Sequence, residues 1–151
     1  MATIVGASES EVVIMNSLTV NLHLLMAAFY KPHGNKRKIL MENHGFPSDT
    51  HALISQLEVH GFDPATDLIC AGATGVEDWN ADPSVIANQA IISTIERRSD
   101  EIAIVILPAV QFLSGQFFDI ANIVKAAHAK HIIVGIDCAH AVGNVPLTLH
   151  D

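Results

Sequence analysis

The run 102–107 reads Ile-Ala-Ile-Val-Ile-Leu, with no polar residue to turn toward solvent. A strand that is apolar on both sides must be covered on both sides, as in parallel sheets sandwiched by helices. Parallel neighbours cannot be joined by a tight turn, so the rest of the chain must supply crossover connections. The remaining sequence has that rhythm. Short apolar runs at 12–15, 39–41, 68–70 and 132–136 read as further strands. The segments 20–29, 50–60, 84–97 and 120–129 read as helices between them. Leu22, Leu25, Met26 and Phe29 recur at helical spacing, as do Ile120, Ile123, Val124 and Ala127. Asp82 followed by Pro83 reads as an N-cap with proline in the first turn. Residues 63–66 and 72–82 read as loops, with Trp79 in the second either exposed or an interface anchor. The expected fold is α/β, a mostly parallel sheet with helices on both faces, and no linker or repeat divides residues 1–151.

In such sheets chemistry gathers outside the carboxyl ends of the strands. The last strand ends in Asp137, and His140 follows at a turn into small residues. A carboxylate there can cap a turn, or it can hold a protonated ring nitrogen such as that of pyridoxal phosphate. Upstream, Ser17 and Thr19 stand where the first long helix begins. A helix start offers unpaired N–H groups and a positive dipole end, an anion site as well as an ordinary N-cap. The segment Phe46-Pro47-Ser48-Asp49 follows the 39–41 strand with a flat ring, a stiff turn and a charge.

Three blocks of sequence, in order, resemble the kynureninases, pyridoxal-phosphate hydrolases of the aspartate aminotransferase superfamily. They are Met15-Asn16-Ser17-Leu18-Thr19-Val20-Asn21-Leu22-His23, then Phe46-Pro47-Ser48-Asp49, then Asp137-Cys138-Ala139-His140-Ala141-Val142-Gly143-Asn144-Val145. A fourth, Val110-Gln111-Phe112 with Ser114-Gly115-Gln116, matches in kind. The resemblance implies part of a fold type I large domain and pyridoxal 5'-phosphate as cofactor. It implies that Leu18 and Thr19 meet the cofactor phosphate and that Phe46 stacks on the ring beside Pro47 and Ser48. Asp49 is expected near the ring's phenolic side, Asp137 at the pyridinium nitrogen, and His140 in the same cavity. Pro108 stands where some members carry a cofactor-contacting serine. The implied reaction is hydrolysis of kynurenine or 3-hydroxykynurenine to anthranilate or 3-hydroxyanthranilate and alanine, in tryptophan catabolism and NAD biosynthesis, by a homodimer.

The family anchors its cofactor on a lysine beyond the aspartate strand. The lysines here are Lys31, Lys36, Lys38, Lys125 and Lys130, none in that position. The expectation is a partial cofactor domain, without the anchoring lysine and the small C-terminal domain, and inactive alone. The alternative is a non-catalytic truncated paralogue or fragment that keeps the fold.

Composition narrows the other classes. A net charge of −8 does not suit a nucleic-acid partner, which requires a basic surface. Half the residues are hydrophobic, yet no apolar run approaches a membrane span, and no basic leader marks a secretion signal. Cys70 and Cys138 lack metal spacing and suit a reducing compartment, so a cytoplasmic location is expected. His44, Asp49 and His51, or Asp137 and His140, could be imagined around a metal, but no zinc spacing supports it. Gly72-Ala73-Thr74-Gly75 lacks the dinucleotide pattern, and no Gly-x-Ser-x-Gly elbow occurs.

Overall fold

The computed structural model describes residues 1–71 and 86–150. Its four strands are β1 (Lys38–Glu42), β2 (Leu68–Ala71), β3 (Ile102–Pro108) and β4 (Ile133–Asp137), in the order β2-β1-β3-β4. Every pairing is parallel. The helices are α1 (Ala2–Val5), α2 (Leu18–Phe29), α3 (Pro47–Val59), α4 (Pro64–Asp67), α5 (Asn88–Arg97) and α6 (Ile120–His128), with one 3-10 turn at Glu9–Glu11. The alternating side chains of the strands explain the two-sided cover. Leu40, Ile69, Val105 and Leu107 pack with Ile91 and Ile95 of α5 and Ile123 and Ala127 of α6. Ile39, Met41, Cys70, Ile104 and Ile106 face the other way, onto Met26 of α2 and Leu53 and Leu57 of α3.

Three expectations need correction. Residues 12–15 form no strand: Val13, Ile14 and Met15 are exposed and lead into the first turn of α2. A four-residue apolar run has strand periodicity only if an edge is there to pair with it, and this one pairs with none of the four strands. The stretch after Asp63 is a helical turn, with Asp63 accepting the Ala65 N–H at 3.0 Å and Pro64 at the first position. The apolar face of α2 is only partly buried. Met26 is enclosed, while Leu25 and Phe29 are about half exposed and line a groove of about 970 Å3 floored by Ile104, Ile106 and Gly135. The Asp82–Pro83 cap, Trp79 and the 72–75 glycine segment lie outside the described residues.

Charges at the amino ends of the strands are matched. Arg37 meets the buried Asp67 at 3.2 Å, and Glu101 meets Lys38 at 2.8 Å and Arg98 at 2.9 Å. Hydrogen bonds from Arg98 and Lys38 hold the Glu101 carboxyl down at about 2. Tyr30, buried beside this cluster, donates to the Arg37 carbonyl, and its burial pushes the phenol up to about 12.

Candidate cofactor site

The carboxyl ends of β1 and β4 and the start of α2 surround a cavity of about 260 Å3. Three loops line it. Ser17, Leu18 and Thr19 come from the start of α2, Phe46 and Ser48 from the β1–α3 junction, and Asp137, Ala139 and His140 from the turn after β4. Leu18, Thr19, Phe46, Ser48, Asp137 and His140 are thus brought together from segments far apart in the chain.

Each loop is fixed by local chemistry. Ser17 is the N-cap of α2 in an extended conformation, and its hydroxyl makes no cap bond to the helix. Phe46 is the N-cap of α3 and Pro47 its first residue, where a missing N–H costs nothing. Pro47 therefore sets the start of α3 and does not line the cavity. His44, just ahead of this turn, is buried with φ of 56°, a conformation that turns the chain sharply. Asp137 accepts the Ala139 N–H at 2.7 Å, so the turn reading of this aspartate is correct as far as one oxygen goes. Its strand is held at the same level by the Pro108–Asp137 register, with the Ala109 N–H donating to the Asp137 carbonyl at 2.8 Å. Pro108 lies beside Asp137 in the sheet but is not in the cavity lining.

Asp49 lies in the first turn of α3, almost fully buried, and its carboxyl is hydrogen-bonded to that of Asp137. A carboxylate near a helix start is ordinarily favoured in its charged form. Here burial, then the bond to Asp137 and its charge, push Asp49 up to about 6, with only Ser48 Oγ, at 3.3 Å, acting the other way. Two like charges in contact cannot both ionise freely, so the pair tends to keep a proton. Burial, with the Asp137 charge, also pushes the Cys138 thiol up. Local sequence could not reveal the Asp49–Asp137 contact, because only the parallel sheet brings these segments together.

Phe46 lines the cavity, edge-on to Phe112 with ring centroids 5.1 Å apart and 6.0 Å from the His140 ring. None of the five lysines or three arginines lines the cavity. Lys31 bonds to the Ala27 carbonyl, Lys36 to that of Lys130, and Lys38 to Glu101 at the far end of the sheet. Among the described residues, no group of three His, Cys, Asp or Glu side chains is placed to hold a metal, and no helix is long and apolar enough to cross a membrane.

The cavity therefore joins an anion-seeking element, the first turn of α2 with Thr19, to a cation-seeking one, Asp137; Asp49 touches Asp137 but lines the larger groove and not this cavity. Phe46 adds a flat apolar surface to the same lining. The comparisons point to a group with that polarity. The family profile for Aminotransferase class-V matches residues 1–151. A kynureninase from Pyricularia oryzae is 48% identical over 150 residues, which cover 99% of this chain and 29% of that protein. One from Xanthomonas axonopodis pv. citri is 48% identical over 151 residues, covering 100% and 34%. The chain thus spans about a third of the length of these relatives. Among solved structures, a cysteine desulfurase from Thermococcus onnurineus superposes with a TM-score of 0.70 at 16% identity, over 94% of this chain and 32% of that one. A NIFS-like protein gives 0.71 at 17%, over 98% and 37%. At such identity these two establish the shared fold. Kynureninases and class-V aminotransferases depend on pyridoxal 5'-phosphate, and the donor set of the cavity fits it: a helix start suited to a phosphate, a ring face suited to a pyridine, and a carboxylate, Asp137, suited to its nitrogen.

Proposed function

Because the chain belongs to the class-V aminotransferase family, we propose that it forms the cofactor-binding part of a kynureninase-like hydrolase acting on kynurenine or 3-hydroxykynurenine. The observation that carries this reading is the convergence on one cavity of the α2 start, Phe46 and Asp137, with Asp49 against Asp137 but outside the lining. The α2 N–H groups and Thr19 Oγ1 bind the phosphate, and Leu18 contributes its backbone at the same end. Phe46 covers the ring and excludes water, and His140 closes the side toward the turn. Asp137 holds a proton on the pyridine nitrogen. Asp49, in contact with Asp137, is assigned to the ring, near its phenolic side. When bound, the cofactor supplies an electron sink for charge developing at the substrate Cα, and the proton held by Asp137 keeps that sink open. Support for the substrate class comes from the 45–48% identity to kynureninases over the whole chain. The second reading, a chain that keeps the fold without turnover, is favoured by one observation: no lysine lines the cavity.

Titration of the 151-residue chain with pyridoxal 5'-phosphate, followed by cofactor absorbance, tests the assignment. Reversible binding is expected, with no covalent mass added after borohydride reduction and no anthranilate released from kynurenine. Thr19→Ala and Asp137→Asn should each weaken binding about tenfold, the worth of a charge-assisted hydrogen bond. Wild-type affinity in both variants would remove the site from this cavity. A reduced adduct on any of the five lysines would overturn the expectation of inactivity.

A further inference from the structure

The loop between β3 and α6 contributes nothing to the cavity lining, yet it is tied to the rest of the chain by polar bonds centred on one buried amide. Residues Val110 and Phe117 form an isolated antiparallel bridge, the Gln111 N–H donates to the Gln116 carbonyl at 2.9 Å, and Gly115 turns the chain with φ of 72°. Gln111 is fully buried, and both ends of its amide are used. Nε2 donates to the His44 carbonyl at 2.9 Å, while Oε1 accepts the N–H groups of Leu113 and Ser114 at 2.6 and 2.9 Å. The β3–α6 loop is thereby tied to the segment that carries Phe46, two residues beyond His44. Phe112, next to Gln111, meets Phe46 edge-on at 5.1 Å. Gln116 makes a second tie, with Nε2 donating to the Ile86 carbonyl at 2.6 Å and Oε1 accepting the Ile86 N–H at 2.8 Å.

A buried amide with three backbone partners is costly to leave unsatisfied, so its geometry is strongly imposed. The bond to His44 falls where the backbone is left-handed, a conformation that needs outside support in a non-glycine residue. We infer that Gln111 and Phe112 are positioning residues for the cofactor ring: Gln111 fixes the His44–Phe46 turn from below, and Phe112 sets the tilt of the Phe46 ring from the side. Neither residue lines the cavity. The inference rests on the proposed cofactor site and adds to it a division of labour, in which the ring end depends on the β3–α6 loop and the phosphate end does not.

That division gives the test. The 151-residue chain is titrated with pyridoxine 5'-phosphate, which carries ring and phosphate but forms no imine, and separately with inorganic phosphate. Gln111→Leu should weaken pyridoxine 5'-phosphate about tenfold, and Phe112→Leu about threefold, the scale of one aromatic pair. Inorganic phosphate affinity should stay at the wild-type value in both, and Gln111→Asn should recover part of the loss. If Gln111→Leu does not fold, Phe112→Leu, which breaks no hydrogen bond, carries the comparison. Equal loss of both ligands would overturn the inference by making the loop a general scaffold, and wild-type affinity for pyridoxine 5'-phosphate in folded variants would overturn it directly. A wild-type chain that binds neither ligand would instead overturn the cofactor reading on which the inference stands.

Discussion

At the amino ends of the strands Asp67 rests against Arg37 and Glu101 against Arg98 and Lys38, whereas at the carboxyl ends Asp49 rests against another carboxylate, Asp137. The same functional group is held at about 2 in Glu101 and raised to about 6 in Asp49. One end of the sheet is finished by the chain's own bases. At the other end, acid faces acid beside a cavity, an arrangement that favours something positive from outside. That contrast separates a structural ion pair from a binding site better than burial does, since Asp67 and Asp49 are both buried.

The largest expected effect lies at the matched end. Arg37→Ala leaves Asp67 buried without its cation, and should cost about 3 kcal/mol in urea unfolding at pH 7. A loss below about 1 kcal/mol would mean that water reaches Asp67 and that the ends differ less than their geometry says. Next comes Asp49. Its folded pKa is raised from 3.8 to about 6, so the folded state binds the extra proton, and the stability this confers is full below pH 3.8 and lost as pH rises through 6. Asp49→Asn should abolish that loss and leave the ligand-free chain more stable than wild type at pH 7, by roughly 1–2 kcal/mol. Unfolding midpoints measured from pH 3.5 to 7.5 decide the matter, and parallel curves for the two proteins would remove the repulsion from the account. Glu101 has the opposite sign. Its pKa is depressed from 4.5 to about 2, so its contribution is present above pH 4.5 and disappears as pH falls toward 2. Because the side chain is 39% exposed, solvent screening reduces the effect, and Glu101→Gln should cost less than about 1 kcal/mol at pH 7. Its acid limb should be shallower than that of the wild type.

Much of this architecture was legible in the residues, for reasons that also explain the misses. Runs such as 102–107 and 39–41 declare themselves because a strand covered on both faces has no polar side to confuse the pattern. The 12–15 run has the same composition, and nothing local shows that no strand edge lies within its reach. Ser17, Thr19, Phe46, Asp137 and His140 could be singled out because each follows or opens an element. What Asp49 touches could not, since its partner is set by the Pro108–Asp137 register and the packing of α3 on the sheet. Gln111 was visible only as part of a resembling motif. An amide's value as a brace depends on which carbonyl stands opposite, here that of His44, and local sequence carries no mark of it.

The strand order has a consequence in time. In β2-β1-β3-β4 every pairing is parallel, so each joins segments separated by at least a crossover. Chains dominated by such distant pairings fold slowly, because long loops must close before any contact rewards them. Thr19 precedes the first strand and Asp137 ends the last. The cavity between them comes into being only when both extremes of this chain have been gathered onto the sheet. The appearance of ligand affinity during refolding would therefore clock the docking of β4 onto the sheet.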